Sequence, residues 1–312
     1  MLSSPIDARA KRQAFRLGLA SGRIQRFPGA FTPLSTALIE AKGFEGVYLS
    51  GAVMAAELGL PDIGLTTLTE VAQRAHQVAR QTSLPVLVDA DTGFGEPMNV
   101  ARTVHELEDA GVAGLHVEDQ VNPKRCGHLD GKEVVSTAAA TRRIAAAVAA
   151  RRDPGLVIMA RTDVRGVDGL DAAVDRARAL VDAGADAIFP EAMASLEEFA
   201  AVRAAVDVPI LANMTEFGKS PLWTAQQLED VGVSMVIHPV SLLRVAFGAI
   251  ERALDALATE GSLASQVETM QTRARLYELN DYQAYAAFDA GVFDFEVPGA
   301  PDRQHRGQGA LP

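Results

Sequence analysis

NVARTVHELEDAGVAGLHVEDQ, residues 99–120, decides how the rest of the chain is read. Residues 99–111 form an amphipathic helical pattern. AGVAG then supplies a turn in which glycine ends the helix. GLHVE follows as a short apolar run of strand length, and it stops at two acids, Glu118 and Asp119. A unit of helix, glycine turn, strand and terminal acid builds a parallel sheet when repeated, because parallel neighbours need a crossover between them.

The unit recurs in both directions. Apolar or β-branched runs lie at 26–30, 46–50, 86–89, 114–118, 157–161, 187–191, 210–213 and 235–238. Stretches rich in Ala, Leu, Arg and Glu separate them, such as DAAVDRARALVDAG (171–184) and SLEEFAAVRAAV (195–206). Eight such strands suit an α/β fold closed as a (β/α)8 TIM-type barrel. No Gly-x-Gly-x-x-Gly turn follows the early strands, which argues against a dinucleotide-binding sheet. The weakest strand is the first, since RFPGA contains a proline and has little apolar length. One barrel domain is expected over 1–296. It includes an N-terminal helix with Phe15, Leu17 and Leu19 as apolar positions, and a C-terminal helical extension. The Pro- and Gly-rich tail 297–312 is expected to be disordered. The helix around 273–288 carries Leu276, Tyr277, Tyr282 and Tyr285, more apolar surface than a free terminal helix needs. It packs either on its own barrel or on a partner subunit.

Hydrophobic residues make up 48% of the chain and charged residues 22%, enough to bury a large core. A net charge of −11 argues against nucleic acid as a partner. It does not exclude an anionic substrate, since local cations or a metal can invert the field in one cleft. The single cysteine cannot form an intramolecular disulfide. No apolar run approaches the roughly 18 residues of a membrane span, and the N-terminal stretch lacks the apolar core of a secretory signal. A cytoplasmic protein acting on a small molecule, with no membrane partner, is expected.

Polar residues close nearly every strand: Ser50, Asp89 with Asp91, Glu118 with Asp119, Arg161 with Asp163, Glu191, and Asn213 with Thr215 and Glu216. In a parallel barrel these ends form the active face. In VDADTGFG (88–95), Asp89 and Asp91 are two apart and point the same way on a strand. Two such carboxylates favour a shared proton or a divalent cation. An oxygen-only set suits Mg2+ or Mn2+, and Asp62 and Glu118 could complete it directly or through water. The alternative is a capping role for Asp91 and a salt bridge for Asp89. Arg161 could hold a substrate carboxylate in two bonds, with Glu191 orienting it, or the two could form a purely structural pair. Asn213 and Thr215 offer neutral hydrogen bonds to a second carboxylate. His76 and His105 read as solvated or packing residues. His116 and His238 have no metal-ligand spacing, and no role is assigned to them.

The only cysteine lies in NPKRCGH (122–128), in the loop after the 114–118 strand. Lys124, Arg125 and His128 could tune the thiol, because nearby cations lower its pKa. Gly127 would let the loop open and close. A thiol so placed can act as nucleophile, base or acid; the plain alternative is a buried structural side chain.

LPDIG, VDADTGFG, HVEDQ, KRCGH, MARTD, FPEA and NMTEFG, in that order over 14–289, resemble the isocitrate lyase/phosphoenolpyruvate mutase superfamily. KRCGH separates the chain from the mutases, phosphonate hydrolases and oxaloacetate decarboxylases of that superfamily. The absence of a long insertion separates it from the isocitrate lyases. The closest resemblance is to the branch that cleaves 2-methylisocitrate to pyruvate and succinate in the methylcitrate cycle of propionate catabolism. The resemblance implies Mg2+, a barrel that exchanges terminal helices with a neighbour, and a homotetramer built as a dimer of helix-swapped dimers. It implies a metal on Asp89, with Asp62, Asp91 and Glu118 acting mainly through water. The substrate loop falls on Tyr48, Ser50 and Gly51, with Ala52 where the family often has a second glycine. Lys124, Arg125, Gly127 and His128 flank the substrate, and Arg161, Glu191, Asn213 and Thr215 fall on carboxylate-binding positions. Cys126 falls on the catalytic thiol, a proton donor to the succinate carbanion. Mg2+ and Arg161 serve as the electrostatic sink, and either Tyr48 or a water-linked carboxylate serves as base. A lyase for 2,3-dimethylmalate or isocitrate is the nearest alternative, with Phe189 and Ile237 as candidates for the wall facing the substrate methyl. A non-catalytic dicarboxylate-binding barrel is the alternative from another class.

Overall fold

In a computed structural model the protein is described over residues 6–128 and 131–293. The strands are β1 (Gln25–Pro28), β2 (Val47–Leu49), β3 (Val86–Asp89), β4 (Gly114–Glu118), β5 (Val157–Thr162), β6 (Ala187–Pro190), β7 (Leu211–Asn213) and β8 (Met235–His238). Every pairing among them is parallel, in the two runs β2-β3-β4-β5-β6 and β7-β8-β1. Parallel bridges Gly29↔Tyr48 and Ile188↔Ile210 join the runs at both ends, so the sheet closes on itself as expected. The proline of the weak first strand is accommodated at its end, where Pro28 is in register with His238. Gly29 then donates its N–H to the His238 carbonyl at 2.9 Å. Only glycine fits there, because a Cβ would lie 2.0 Å from the Pro239 carbonyl oxygen.

Alternation along each strand sorts two cores. Val86, Val88, Leu115, Val117, Ile158, Ala160, Ile188 and Ala212 face the surrounding helices. Tyr48, Leu87, Met159, Phe189, Leu211, Met235 and Ile237 fill the barrel interior. Lateral register then stacks the interior in tiers, Leu87 beside Gly114, Asp89 beside His116, and Glu118 beside Arg161 beside Phe189. The apolar tier lies at the strand starts and the charged tier at the strand ends.

The helix α1 (Ala8–Leu19) closes the lower end. Phe15 and Leu19 are buried in the interior cluster, and the Phe15 and Phe27 rings lie 5.1 Å apart. Gly114 makes room, since a Cβ there would come within 2.9 Å of Phe15. The polar side of α1 is tied to the loops beneath the strands. Lys11 Nζ donates to the Ala79 carbonyl at 2.6 Å, and Arg12 donates to the Val112 and Glu108 carbonyls at 2.9 and 2.7 Å. Ala79 ends the helix α4 (Leu68–Ala79), and Glu108 lies in the last turn of α5 (Pro97–Asp109). Cations there meet the negative ends of helix dipoles.

The chain forms two compact units that divide between Met270 and Gln271, where the sequence predicts one domain running to 296. The first unit ends with the long helix α11 (Ser241–Glu260) and a short 3-10 turn. In the second, the single helix expected around 273–288 is two, α12 (Arg273–Leu279) and α13 (Tyr282–Phe293). Asp281 at φ 53° breaks the helix between them, and the Tyr277 and Tyr282 rings stack across the break at 4.7 Å. The tail 297–312 lies outside the described residues. No helix of the described residues is long and apolar enough to cross a membrane.

Phe15 is 1% exposed. Phe15→Ala is expected to lower the unfolding free energy by about 3–5 kcal/mol, the usual cost of emptying a buried aromatic site. Urea denaturation of the two proteins measures it, and a loss below about 1 kcal/mol would show that α1 does not plug the barrel.

Candidate active site

The upper tier centres on Arg161, next to last in β5. Register sets Glu118 of β4 directly beside it, with Arg161 Nε 3.2 Å from Glu118 Oε2. The same guanidinium donates to both oxygens of Asp163 at 2.9 and 3.2 Å, lies 3.4 Å from Glu191, and rests over the Phe189 ring. All four charged groups are buried. Burial works against the charge on Arg161, but Asp163, Glu118 and Glu191 outweigh it and raise its pKa. Burial likewise opposes charge on Glu191, where Arg161 and His128 prevail and hold the carboxyl well below the usual range.

Asp89 and Asp91 converge for a different reason from strand alternation. The strand stops at Asp89, and Asp91 sits beyond it in a left-handed turn at φ 46°, a conformation that aspartate tolerates better than most residues. Asp89 accepts backbone N–H bonds from Asp91 at 3.0 Å and from Gly51 at 3.1 Å. A Cβ on Gly51 would come within 3.0 Å of Asp91 and 3.1 Å of Asp89, so the glycine of YLSG admits these carboxylates. Lys124 reaches in from the cysteine loop, pairing with Asp62 and lying 2.8 Å from Asp91 Oδ1. Burial pushes Asp89 up, but His116, Lys124 and Arg161 more than offset it and leave its pKa at about 2. Burial raises Asp91 to about 6, aided by Asp89 and opposed by Lys124. Burial also holds Glu118 well above the ordinary range.

The oxygen donors fit a hard divalent cation. Glu118 Oε1 is buried without a hydrogen bond, and Asp91 Oδ1 faces the Lys124 ammonium without hydrogen-bonding geometry. Among the described residues no three Asp, Glu, His or Cys side chains converge closely enough to chelate an ion by themselves. A cation that keeps several of its waters, as Mg2+ does, needs only one or two direct carboxylates.

Tyr48 and His116 lie side by side beneath the acids. Tyr48 Oη is 2.9 Å from His116 Nε2, the rings stack, and Phe189 meets the imidazole edge-on. Burial drives the His116 pKa down to about 4 and the Tyr48 pKa well up, so both are neutral near pH 7. His116, to which no role was assigned from sequence, therefore belongs to the site. The signal was its place two residues before Glu118 on the same strand face. Asp163 was read only as a strand-end acid and Lys132 not at all, yet both are buried in the Arg161 cluster.

The cysteine loop lies across this tier. A Cβ on Gly127 would come within 2.5 Å of both Arg161 Nη2 and Glu191 Cγ, so only glycine lets the backbone lie that close. His128 Nε2 is 2.9 Å from Glu191, and its Nδ1 accepts the Lys219 N–H at 3.0 Å. The Gln120 side chain grips Arg125 by both its N–H (2.9 Å) and its carbonyl (2.8 Å). The Arg125 side chain itself is exposed. Cys126 is half-buried. The expectation that cations lower its pKa is overturned. Burial pushes the thiol up, and the opposing His128 N–H and Arg161 do not compensate. The physical reason is that Lys124 is turned to Asp62 and Asp91, while Arg125 faces solvent.

Asn213 donates to Glu191 at 3.1 Å and leaves its Oδ1 buried without a hydrogen bond. Thr215 lies near the same rim and accepts from Arg244 of α11 at 3.1 Å. Ser50 is buried at the start of α3 (Gly51–Glu57), and its side chain makes no capping bond. Ala52, inside α3, is half-buried.

The phosphoenolpyruvate phosphomutase family profile matches residues 15–258. Among relatives, probable 2-methylisocitrate lyase 2 of Corynebacterium glutamicum is 62% identical over 297 residues, covering 95% of this chain and 97% of its own. Among solved structures, a 2,3-dimethylmalate lyase superposes with TM-score 0.84 at 34% identity, covering 94% of this chain and 99% of its own. A phosphonopyruvate hydrolase in complex with oxalate and Mg2+ superposes with TM-score 0.83 at 29% identity, covering 91% and 99%. With a profile match across most of the barrel and relatives aligned over nearly its whole length, the chain belongs to the phosphoenolpyruvate phosphomutase family.

Proposed function

We propose that this protein is a 2-methylisocitrate lyase, cleaving the substrate to pyruvate and succinate by a retro-aldol, Claisen-type reaction. The observation that carries the reading is the place of Cys126, half-buried beside Gly127 on the loop laid against Arg161 and Glu191, where burial disfavours the thiolate. A non-catalytic binder of dicarboxylates has no need of a proton donor there. The 62% identity to the Corynebacterium protein supports the choice of substrate.

In this reading Arg161 and Asn213 bind substrate carboxylates, with Glu191 and His128 fixing their orientation. Ser50 and Thr215 add neutral donors at the rim. A base takes the proton of the substrate hydroxyl, the adjacent carbon–carbon bond breaks toward the succinate side, and its electron pair is held as an aci-carboxylate. Cys126 delivers its proton to that carbon and is reprotonated from solvent. The base is a water-linked carboxylate of the Asp89, Asp91 and Glu118 group. Tyr48, with its pKa raised by burial, offers a hydrogen bond but no resting phenolate.

Mg2+, or Mn2+ in its place, would be held by Asp89, with Asp62, Asp91 and Glu118 acting through water. When bound, it supplies positive charge at the end of the substrate that becomes pyruvate. Charge balance supports the need for it. Among the described residues the acids Asp62, Asp89, Asp91, Glu118, Asp163 and Glu191 outnumber the cations Lys124, Lys132 and Arg161 paired with them, with the imidazoles of His116 and His128 alongside Asp89 and Glu191. The Mg2+ complex of the phosphonopyruvate hydrolase, on the same fold, supports the same assignment. We place the protein in the cytoplasm, on its single cysteine, which leaves no intramolecular disulfide of the kind an oxidising compartment favours.

We also propose a homotetramer, built as a dimer of helix-swapped dimers. Phe247, Ile250, Leu254 and Leu257 are exposed along one face of α11, and Tyr282, Tyr285 and Phe288 are exposed on α13. Sedimentation equilibrium is expected to give about four times the chain mass, and Leu254→Arg a smaller species. A monomeric wild-type protein would remove the oligomer.

Alkylation of Cys126 by iodoacetamide is expected to rise with pH to an inflection higher than that of a free cysteine thiol, because partial burial disfavours the thiolate. An inflection at or below the free-thiol value of about 8.5 would contradict a neutral thiol. Cys126→Ser is expected to retain ligand binding but lose about 10²–10⁴-fold in kcat. Near-wild-type pyruvate release by that variant would end the acid role, and activity after exhaustive chelation would end the metal assignment. Assays of 2-methylisocitrate, isocitrate and 2,3-dimethylmalate side by side, reading pyruvate and glyoxylate, decide the substrate.

A further inference from the structure

We propose that Lys132 is a positioning residue that ties the Gly127 carbonyl, next to the reacting thiol, to the Arg161 anion site. The proposal rests on the reading of Cys126 as the proton donor. Lys132 follows the cysteine motif in sequence and is buried, with its side chain 2% exposed. Its ammonium donates to the Gly127 carbonyl and, at 2.8 Å, to Asp163 Oδ1. Asp163 in turn receives both bonds from Arg161. One cation thus holds the backbone beside the thiol and the carboxylate that orients the guanidinium.

The surroundings leave this cation little other work. It sits in a slot beside Gly166, where a Cβ would come within 3.2 Å of Lys132 Nζ. Asp163 is held from behind, its N–H bonded to Asp119 at 2.9 Å, while Asp119 also accepts from Thr162 at 2.7 Å and Arg176 at 2.6 Å. The acid is therefore anchored on the barrel without Lys132, and the lysine is the link that carries this anchorage to the cysteine loop. His128 provides the second tether, through Glu191. Gly127, held by Lys132 and followed by the His128 tether, lies so close on Arg161 and Glu191 that a Cβ there would come within 2.5 Å of both side chains. A pair serving stability alone would satisfy Asp163 and stop; the extra bond to the Gly127 carbonyl fixes the height of the thiol above the site.

The chain's single cysteine makes alkylation a residue-specific readout. In Lys132→Met, measured well below its melting temperature and without substrate, Cys126 alkylation is expected to be about tenfold faster or more, as the loop opens locally. With 2-methylisocitrate, kcat is expected to fall about 10²-fold while KM changes less than about threefold, the signature of a misplaced reacting group. Lys132→Gln, milder and too short to reach both partners, is expected to speed alkylation by about threefold or more. Alkylation below that threshold in either folded variant overturns the proposal, as does a fall in turnover confined to KM. Because the alkylation arm uses no substrate, it judges Lys132 even if 2-methylisocitrate is not cleaved, an outcome that would count against the proposed substrate alone.

Discussion

The structure of the mouth depends on one buried guanidinium. Arg161 lies among Glu118, Asp163 and Glu191, and none of these groups can be removed without leaving its partners charged and dry. Each acid comes from a different place: the end of β4, the residue just past β5, and the residue just past β6. These three strands are neighbours in the sheet, so their parallel register alone brings the three ends around one centre. The cluster also dictates what lies above it. With Arg161 and Glu191 packed this tightly, the loop that crosses them must present glycine at 127.

The same cluster explains why the thiol stays neutral. A cysteine flanked in sequence by lysine, arginine and histidine looks set up to be a thiolate. In the fold those cations are spent elsewhere or turned outward, and the charges nearest the loop are largely carboxylates. Burial is the first cause that disfavours the thiolate, with Asp62 and Glu191 adding to it, so local sequence and folded environment push the proton in opposite directions. Chemistry that ends by protonating a carbanion needs the outcome the fold delivers.

Most of the architecture could be read from the chain because strand alternation and glycine-ended helices are local signals. The same period of two sets Glu118 with His116, and Arg161 with Met159 and Val157, on shared strand faces, a grouping that shows only once the register places the strands side by side. Alternation misled at Asp91, which lies past the strand, where a positive-φ turn rather than the pleat decides where the side chain goes. Lys132 was missed, and Asp119 and Asp163 were read only as strand-end acids, because their partners are distant in sequence or lie in loops without periodicity. The break at Asp281 was missed as well, since a helical pattern carries no mark of one left-handed residue in its middle. Arg125, inside the most telling motif, contributes backbone rather than charge, which sequence cannot distinguish.

The plug formed by α1 has a consequence for access to the site. With Phe15 and Leu19 packed under the apolar tier, side chains fill the barrel from below up to the charged tier. A ligand held by Arg161 in the proposed site would therefore come and go on the strand-end side, past the cysteine loop, so the same loop that carries the thiol would stand on the route of both substrate and products.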